Sequence, residues 1–373
     1  MHDDLAFRQR IDTHLHRLVD EEEAELLRLS SELGPLCDQL RSSLTRGKRM
    51  RAAFLYWGWR AAGQPDCDGV IRAAAAMELV HAAACTHDDI IDDSLLRHGV
   101  PTAHAAFSAG IASRWGHGDG PGAPARGPAG APARGPAGAP RPDRSAALAM
   151  MLGDLLMGYA AQVFATCGLP GAYVARTVPL WSTLLRETVA GEFLEVLRTG
   201  ADSVPEVAES LEVARYKTAK YTVERPLHMG ATLGGAPRQV MAAFTAYGLP
   251  LGEAFQLRDD LIGTFGDPAE TGKSNLDDLR DRKPTALLAT TLALLDPHDR
   301  ALLDKTLDRP ALDESDAALV RRLMDGCGAR QRVEDMIADR VAAARGALDA
   351  VTLPMDVRTA LGGLATSATA RSV

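Results

Sequence analysis

The chain has 373 residues, 46% hydrophobic and 24% charged, with 41 Lys+Arg against 49 Asp+Glu and a formal net charge of −8. This composition excludes bulk disorder and gives ample length for a large core, and the acidic balance argues against a nucleic-acid binder. Aromatics are only 5% while Ala and Leu dominate, which favours helices over strands.

In chain order, apolar-periodic runs predict helices near 5–29, 32–44, 48–62, 68–95, 145–167, 171–199, 204–232, 236–265, 283–295, 297–306, 315–344 and 354–369. No run of alternating β-branched residues stands out, and no Gly-rich phosphate loop follows a strand. The expectation is an all-α fold, a single bundle of roughly ten or more helices forming one domain over 1–373. Residues 116–142 stand apart, being almost entirely Gly, Ala, Pro and Arg, with one eight-residue repeat at 122–129 and 130–137. Prolines at that spacing forbid a continuous helix and nothing large is available to bury, so this stretch reads as a disordered insertion. The start, Met1-His2-Asp3-Asp4, lacks the pattern of a signal peptide. The apolar stretch Ala146 to Leu169 is interrupted by Asp154 and reads as a buried helix. Cys37, Cys67, Cys85, Cys167 and Cys327 show no paired metal spacing, which points to reduced thiols and a cytoplasmic location.

The densest polar feature is His87-Asp88-Asp89-Ile90-Ile91-Asp92-Asp93. Carboxylates so close repel one another unless a cation sits among them. Asp88 and Asp92 lie one helical turn apart, with Asp89 beside them. Traced backwards, the same stripe reads Glu78, His81, Cys85, Asp88, Asp92, in steps of three and four through an otherwise apolar helix. A solvated face would explain the acids but not their apolar surroundings. A second cluster, Gln256-Leu257-Arg258-Asp259-Asp260, lies in another apolar run that should end near Gly266, ahead of Pro268. Hard oxygen ligands suit Mg²⁺, which bridges carboxylate to phosphate, whereas the scattered His and Cys do not suit zinc. A phosphorylated substrate would need basic residues, and Arg46-Gly47-Lys48-Arg49-Met50-Arg51, Arg97-His98, Lys217-Thr218-Ala219-Lys220 and Lys273 are the candidates.

These stretches, in this order, resemble the trans-isoprenyl diphosphate synthases of the polyprenyl synthetase family, from about Arg46 to the C-terminal helices. Gly99-Val100-Pro101-Thr102-Ala103-His104, Gly153-Asp154 and Gly272-Lys273 extend the match. The run Tyr221-Thr222-Val223-Glu224-Arg225-Pro226 is most similar to bacterial geranylgeranyl diphosphate synthases. The resemblance implies the isoprenoid synthase fold, helices around a central cavity, in a homodimer with no membrane span. It also implies roles. Asp88, Asp89, Asp92, Asp259 and Asp260 would hold three Mg²⁺ on an allylic diphosphate also gripped by Arg97, Lys217 and Lys273. Lys48, Arg51 and His81, with His98 beside them, would bind isopentenyl diphosphate, and Thr218 and Gln256 would face the allylic cation. Three positions depart from the family pattern. Gly263 stands where a third Asp is usual, with Asp267 further on; His98 replaces a second Arg; and Ala52 replaces a Pro.

The implied chemistry is ionisation of the allylic diphosphate, attack by the double bond of isopentenyl diphosphate, and loss of a proton to the released diphosphate. Chain length would be set below Asp88. Ala83 and Ala84, one turn back, are small, and Val80 and Met77 lie deeper. One isoprene unit is about the ~5.4 Å pitch of a helix, so small side chains here point to a geranylgeranyl (C20) product. A farnesyl (C15) or longer (C25 or above) product stays open, as do a class I terpene cyclase and a non-catalytic partner subunit.

Overall fold

The structure is a computed structural model that describes residues 4–115, 143–200, 205–266, 277–309 and 312–370. The insertion 116–142, Asp267 and Lys273 lie outside the described residues. The fold is helical, as expected, and its contacts divide the chain into two compact units.

One unit comprises residues 5–48 and the described part of 75–165. It holds α1 (Asp4–Leu29), a 3₁₀ turn (Ser31–Leu33), α2 (Gly34–Leu44), most of α4 (Asp68–Ile91), α5 (Ala103–Trp115) and α6 (Arg144–Ala165). Phe7, Ile11, Leu15 and Val19, each one turn from the next, bury one stripe of α1. Asp20 and Glu23 of α1 accept from Arg41 of α2. These ion pairs are solvent-exposed and screened, so they add little to stability. Alpha-six is long and apolar enough to cross a membrane by length and composition. It was expected to be buried, yet only one face is. Leu152, Leu156, Ala160 and Phe164 are covered, while Leu148, Met150 and Met151 are exposed.

The other unit comprises residues 49–74 and the described part of 166–370. It contains α3 (Met50–Ala61), the start of α4, α7 (Gly171–Arg198), α8 (Val207–Val213), a π-helical segment (Ala214–Glu224), α9 (Arg225–Gly234) and α10 (Arg238–Phe265). It continues through α11 (Asp277–Arg280), α12 (Ala286–Leu294), α13 (Pro297–Leu307), α14 (Glu314–Gly326), α15 (Ala329–Asp349) and α16 (Met355–Thr369). Alpha-ten is central and packs most extensively on α15 and the π segment. Leu257, Leu261, Leu287, Val320, Val333 and Ile337 form the core on its far side. Glycines set the closest approaches. A Cβ on Gly58 of α3 would lie 2.3 Å from the Leu227 carbonyl oxygen, and Gly230 of α9 meets the Leu55 carbonyl oxygen in the same crossing.

Four departures from the predicted elements have local causes. The run 68–95 stops at Ile91 and gives way to a two-residue ladder, β1 (Leu96–Arg97) with β2 (Val100–Pro101). His98 and Gly99 join its strands with φ of 52° and 73°, the paired positive values of a type I′ turn. Alpha-five was not predicted, because its Ala, Ser and Gly give it a weak periodicity. The run 315–344 is two helices, parted at Gly328, whose φ of 81° no continuous helix allows. The run 204–232 is interrupted by the π segment, for which composition carries no signal.

Deep in this unit, Arg225 donates to both Glu187 oxygens (2.6 and 2.8 Å) and lies 3.1 Å from His228 Nδ1. Lys220 reaches Glu187 and Glu224, each at 3.2 Å. Arg225 can only donate, so Nδ1 accepts, the hydrogen sits on Nε2 and the imidazole is neutral; Nε2 lies 3.1 Å from both the Met241 carbonyl and the Thr245 hydroxyl. Burial lowers the His228 pKa, Arg225 lowers it further, and Glu224 works against both. A histidine held neutral contributes stability that is full above its unfolded value, about 6.5, and is lost as pH falls toward the lowered folded value. The melting temperature is therefore expected to fall as pH drops below about 6.5. His228→Gln, which cannot titrate, should show a flatter profile by differential scanning calorimetry.

Candidate active site

The first acidic cluster closes α4. Its stripe is the least buried line on the helix, with His81, Cys85, Asp88 and Asp92 half-buried, while Glu78 and Asp89 are covered. Asp92 lies just past the last helical residue, its amide still donating to the Asp88 carbonyl (2.9 Å). Arg97 crosses back from β1. Its Nη2 is 2.9 Å from Asp88 Oδ2 and its Nε donates to Asp89 Oδ1 at 2.8 Å. Burial alone would lower the Arg97 pKa, but Cys85, Asp89 and Asp88 raise it well above the ordinary arginine value. Arg97 thus holds two of the acids rather than facing away from them. The turn that aims it is fixed by Arg46, which donates to the His98 carbonyl at 2.5 Å, and by Thr102, which donates to the Ser94 carbonyl at 2.7 Å. The His98 side chain is exposed, and its positive φ suits His better than most residues.

Gly153 has a steric reason in the same unit. A Cβ there would lie 2.2 Å from His87 Nε2, and that ring nitrogen is 3.2 Å from the Met150 carbonyl and 3.6 Å from Asp154. His81 Nδ1 lies 3.4 Å from the Cys85 sulfur. Ala83, Val80 and Met77 are buried and Ala84 is half-buried.

The second cluster is built on α10 and the π segment. Thr218 Oγ1 donates to Gln256 Oε1 at 2.6 Å, and Gln256 Nε2 donates to Asp260 Oδ1 at 2.8 Å. Three residues singled out from the sequence therefore form one hydrogen-bonded line, and the Gln256 amide has its orientation fixed from both ends. Asp259 is exposed, while Asp260 is 7% exposed with no cation within ion-pair distance among the described residues. Burial pushes the Asp260 pKa up to about 8. Gln256 lowers it, and the carboxylates of Asp278, Asp259 and Glu195 add to the rise. Arg258, between the motif's polar residues, turns away to a two-pronged pair with Glu334 (2.7 and 2.6 Å).

Lys217 lies 2.9 Å from Glu192 and 2.5 Å from Glu195 of α7. Lys283 sits 3.9 Å from Glu195 and 3.7 Å from Asp278. Glu192, Glu195 and Lys283 were missed from the sequence, and Asp278, in the acidic run after the second cluster, was given no role there. The only signal of the two glutamates was acids three apart after Gly191, and that pattern is ordinary on a solvated helix. The helices close on Lys217 because side chains are absent. A Cβ on Gly191 would be 2.2 Å from the Lys217 nitrogen, and one on Gly252 would be 2.3 Å from Ala219 Cα. Gly263 is explained in the same way. The Asp278 carboxylate stands 2.6 Å from where its Cβ would be, so an acid brought from α11 occupies the space beside the position where the family pattern places a third Asp.

The donor set fits a hard divalent cation. It is all carboxylate oxygen, and Asp260 is a buried acid among acids with no positive partner among the described residues.

The model of the polyprenyl synthetase family matches residues 35–116 and 142–324. The chain belongs to the polyprenyl synthetase family. It is accordingly a prenyltransferase, an enzyme of the trans-prenyl diphosphate synthase class. It is similar to the (2E,6E)-farnesyl diphosphate synthase of Mycobacterium tuberculosis, 32% identical over 290 residues, 76% of this chain and 68% of that one. It is also similar to the geranylgeranyl diphosphate synthase of the same organism, 29% identical over 319 residues, 85% of this chain and 79% of that one. Among solved structures, the geranylgeranyl pyrophosphate synthase of Corynebacterium glutamicum, complexed with isoprenyl diphosphate and magnesium, superposes with a TM-score of 0.88 at 31% identity. That match covers 99% of this chain and 100% of the other.

Proposed function

We propose that this polyprenyl synthetase condenses isopentenyl diphosphate with an allylic diphosphate and releases geranylgeranyl diphosphate. The observation that carries the reading is the line Thr218–Gln256–Asp260, two neutral oxygen dipoles ending on a buried carboxylate that has no ion-pair partner among the described residues. The solved relative that carries isoprenyl diphosphate and magnesium supports the substrate class and the metal.

In this reading Asp88, Asp89 and Asp92, with Asp259 and Asp260, hold three Mg²⁺, and Asp278 stands in for the acid absent at Gly263. When bound, the metal neutralises charge growing on the leaving diphosphate. Arg97, Lys217 and Lys273 bind that diphosphate, with Glu192 and Glu195 holding the Lys217 ammonium in place. Thr218 donates its hydrogen bond to Gln256, so its own oxygen lone pairs are left to face the allylic cation. Lys48, Arg51 and His81, with His98 beside them, bind isopentenyl diphosphate, and the departing proton goes to the released diphosphate. The Ala-rich wall of α4 keeps water from the cation. The whole chain acts as one synthase domain, in the cytoplasm and as a homodimer. The exposed apolar stripe Val178, Val189, Phe193, Val196 and Leu197 on α7 supports the dimer.

The C20 product rests on Ala83 and Ala84, which leave room for a further unit above Val80 and Met77. Ala84→Phe is expected to shift the main product from C20 to C15, read by chromatography of the dephosphorylated prenols. An unchanged profile removes α4 as the ruler of chain length.

A further inference from the structure

Thr222 and Tyr221 follow Thr218 by about one turn of the π segment, and the proposed reaction gives neither a role. Thr222 is fully buried, and its hydroxyl accepts from Arg51 Nη2 of α3 at 2.9 Å across 171 residues of sequence. The Arg51 guanidinium carbon lies 4.3 Å from the centre of the Tyr221 ring, near enough for cation–π attraction. Arg51 Nε is buried with no hydrogen-bond partner. The guanidinium is therefore fixed at one prong and along one face, while a buried donor is left over. An unmet buried donor is destabilising, more so when charged, and an anionic oxygen arriving at Nε would remove that cost.

We propose that Thr222 is a positioning residue for isopentenyl diphosphate: its hydroxyl sets the rotation of the Arg51 guanidinium, so that the unpartnered Nε edge is presented to the incoming diphosphate. The inference rests on the reading that Arg51 binds that diphosphate. The turn that carries Lys217 and Thr218 toward the allylic substrate would then also hold the arginine serving the second substrate. Valine in place of Thr222 keeps the branched shape and removes the acceptor, which frees the guanidinium to rotate about its stem.

The test is steady-state kinetics with each substrate varied in turn. Thr222→Val is expected to raise KM for isopentenyl diphosphate about tenfold, equivalent to about 1.4 kcal/mol. KM for the allylic diphosphate and the melting temperature should stay near wild type, and Thr222→Ser should restore the wild-type value. Tyr221→Leu, which removes the ring face, should give the same selective rise and serves if the valine variant does not fold. Arg51→Met separates the positioning role from the binding role beneath it. If it raises KM for isopentenyl diphosphate while Thr222→Val changes that KM less than twofold, or changes both KM values alike, the positioning role is wrong and the Arg51 reading stands. If Arg51→Met leaves that KM unchanged, the reading beneath the proposal is itself overturned.

Discussion

Gly230→Ala is expected to destabilise the protein by about 3 kcal/mol, a loss of roughly 3–5 °C in melting temperature. The cause is backbone against backbone. A Cβ on Gly230 would fall 1.8 Å from the Leu55 carbonyl oxygen and 2.8 Å from the Trp59 nitrogen. No rotamer change can relieve those contacts, so α3 and α9 must separate along their whole crossing. Phe54, Leu55, Leu227 and Leu233, all fully buried beside it, would lose contact as they part. Arg51 rides on α3 and would move with it. Gly346→Ala on α15 is the matched control, since nothing lies within 4 Å of its added methyl. There the better helix propensity of alanine should raise stability by about 0.5–1 kcal/mol. Urea unfolding of the two variants checks the contrast, and similar losses in both would show that the α3–α9 approach is looser than described.

Asp260→Asn should separate activity from stability. Losing one carboxylate from the metal-binding set, and the charge that would draw a cation to the buried end of the Thr218–Gln256 line, is expected to lower kcat by about 10²–10³. Stability should move the other way. The folded pKa of Asp260, about 8, stands above the ordinary carboxylate value, so the folded state holds a proton that the unfolded chain has released. That contribution is full below about pH 4 and is lost as pH rises toward 8. Without divalent metal, the asparagine variant should therefore be more stable than wild type at pH 8, by roughly 1–3 kcal/mol. Added Mg²⁺ should raise the wild-type melting temperature more than that of the variant. A variant that stays fully active, or that is less stable than wild type in EDTA at pH 8, contradicts this assignment.

Much of the fold was legible because long helices announce themselves by period. The α4 stripe was the clearest case, since acids in steps of three and four through an alanine-rich run suit a cation site far better than a solvated face. Boundaries were legible where breakers stood, as at Gly266, which caps α10 as expected. What stayed hidden depended on contacts distant in sequence. Glu192 and Glu195 look like any exposed pair until Gly191 lets the π segment approach. Asp278 is one acid in an acid-rich loop until the gap at Gly263 gives it a place. The π segment left no trace in composition because its hydrogen-bond register is imposed by α7 and α10 through Gly191, Gly248 and Gly252. The hairpin at His98 was foreshadowed by Gly99 and Pro101, but the apolar pair Leu95-Leu96 made the preceding helix read on too far.

The most direct test is release of inorganic diphosphate by the purified protein, followed with each allylic primer in the presence and absence of isopentenyl diphosphate and of Mg²⁺. The account predicts release only when the metal and both substrates are present, one diphosphate per unit added, with elongation stopping at twenty carbons. Release that proceeds without isopentenyl diphosphate, or that persists in EDTA, would contradict it.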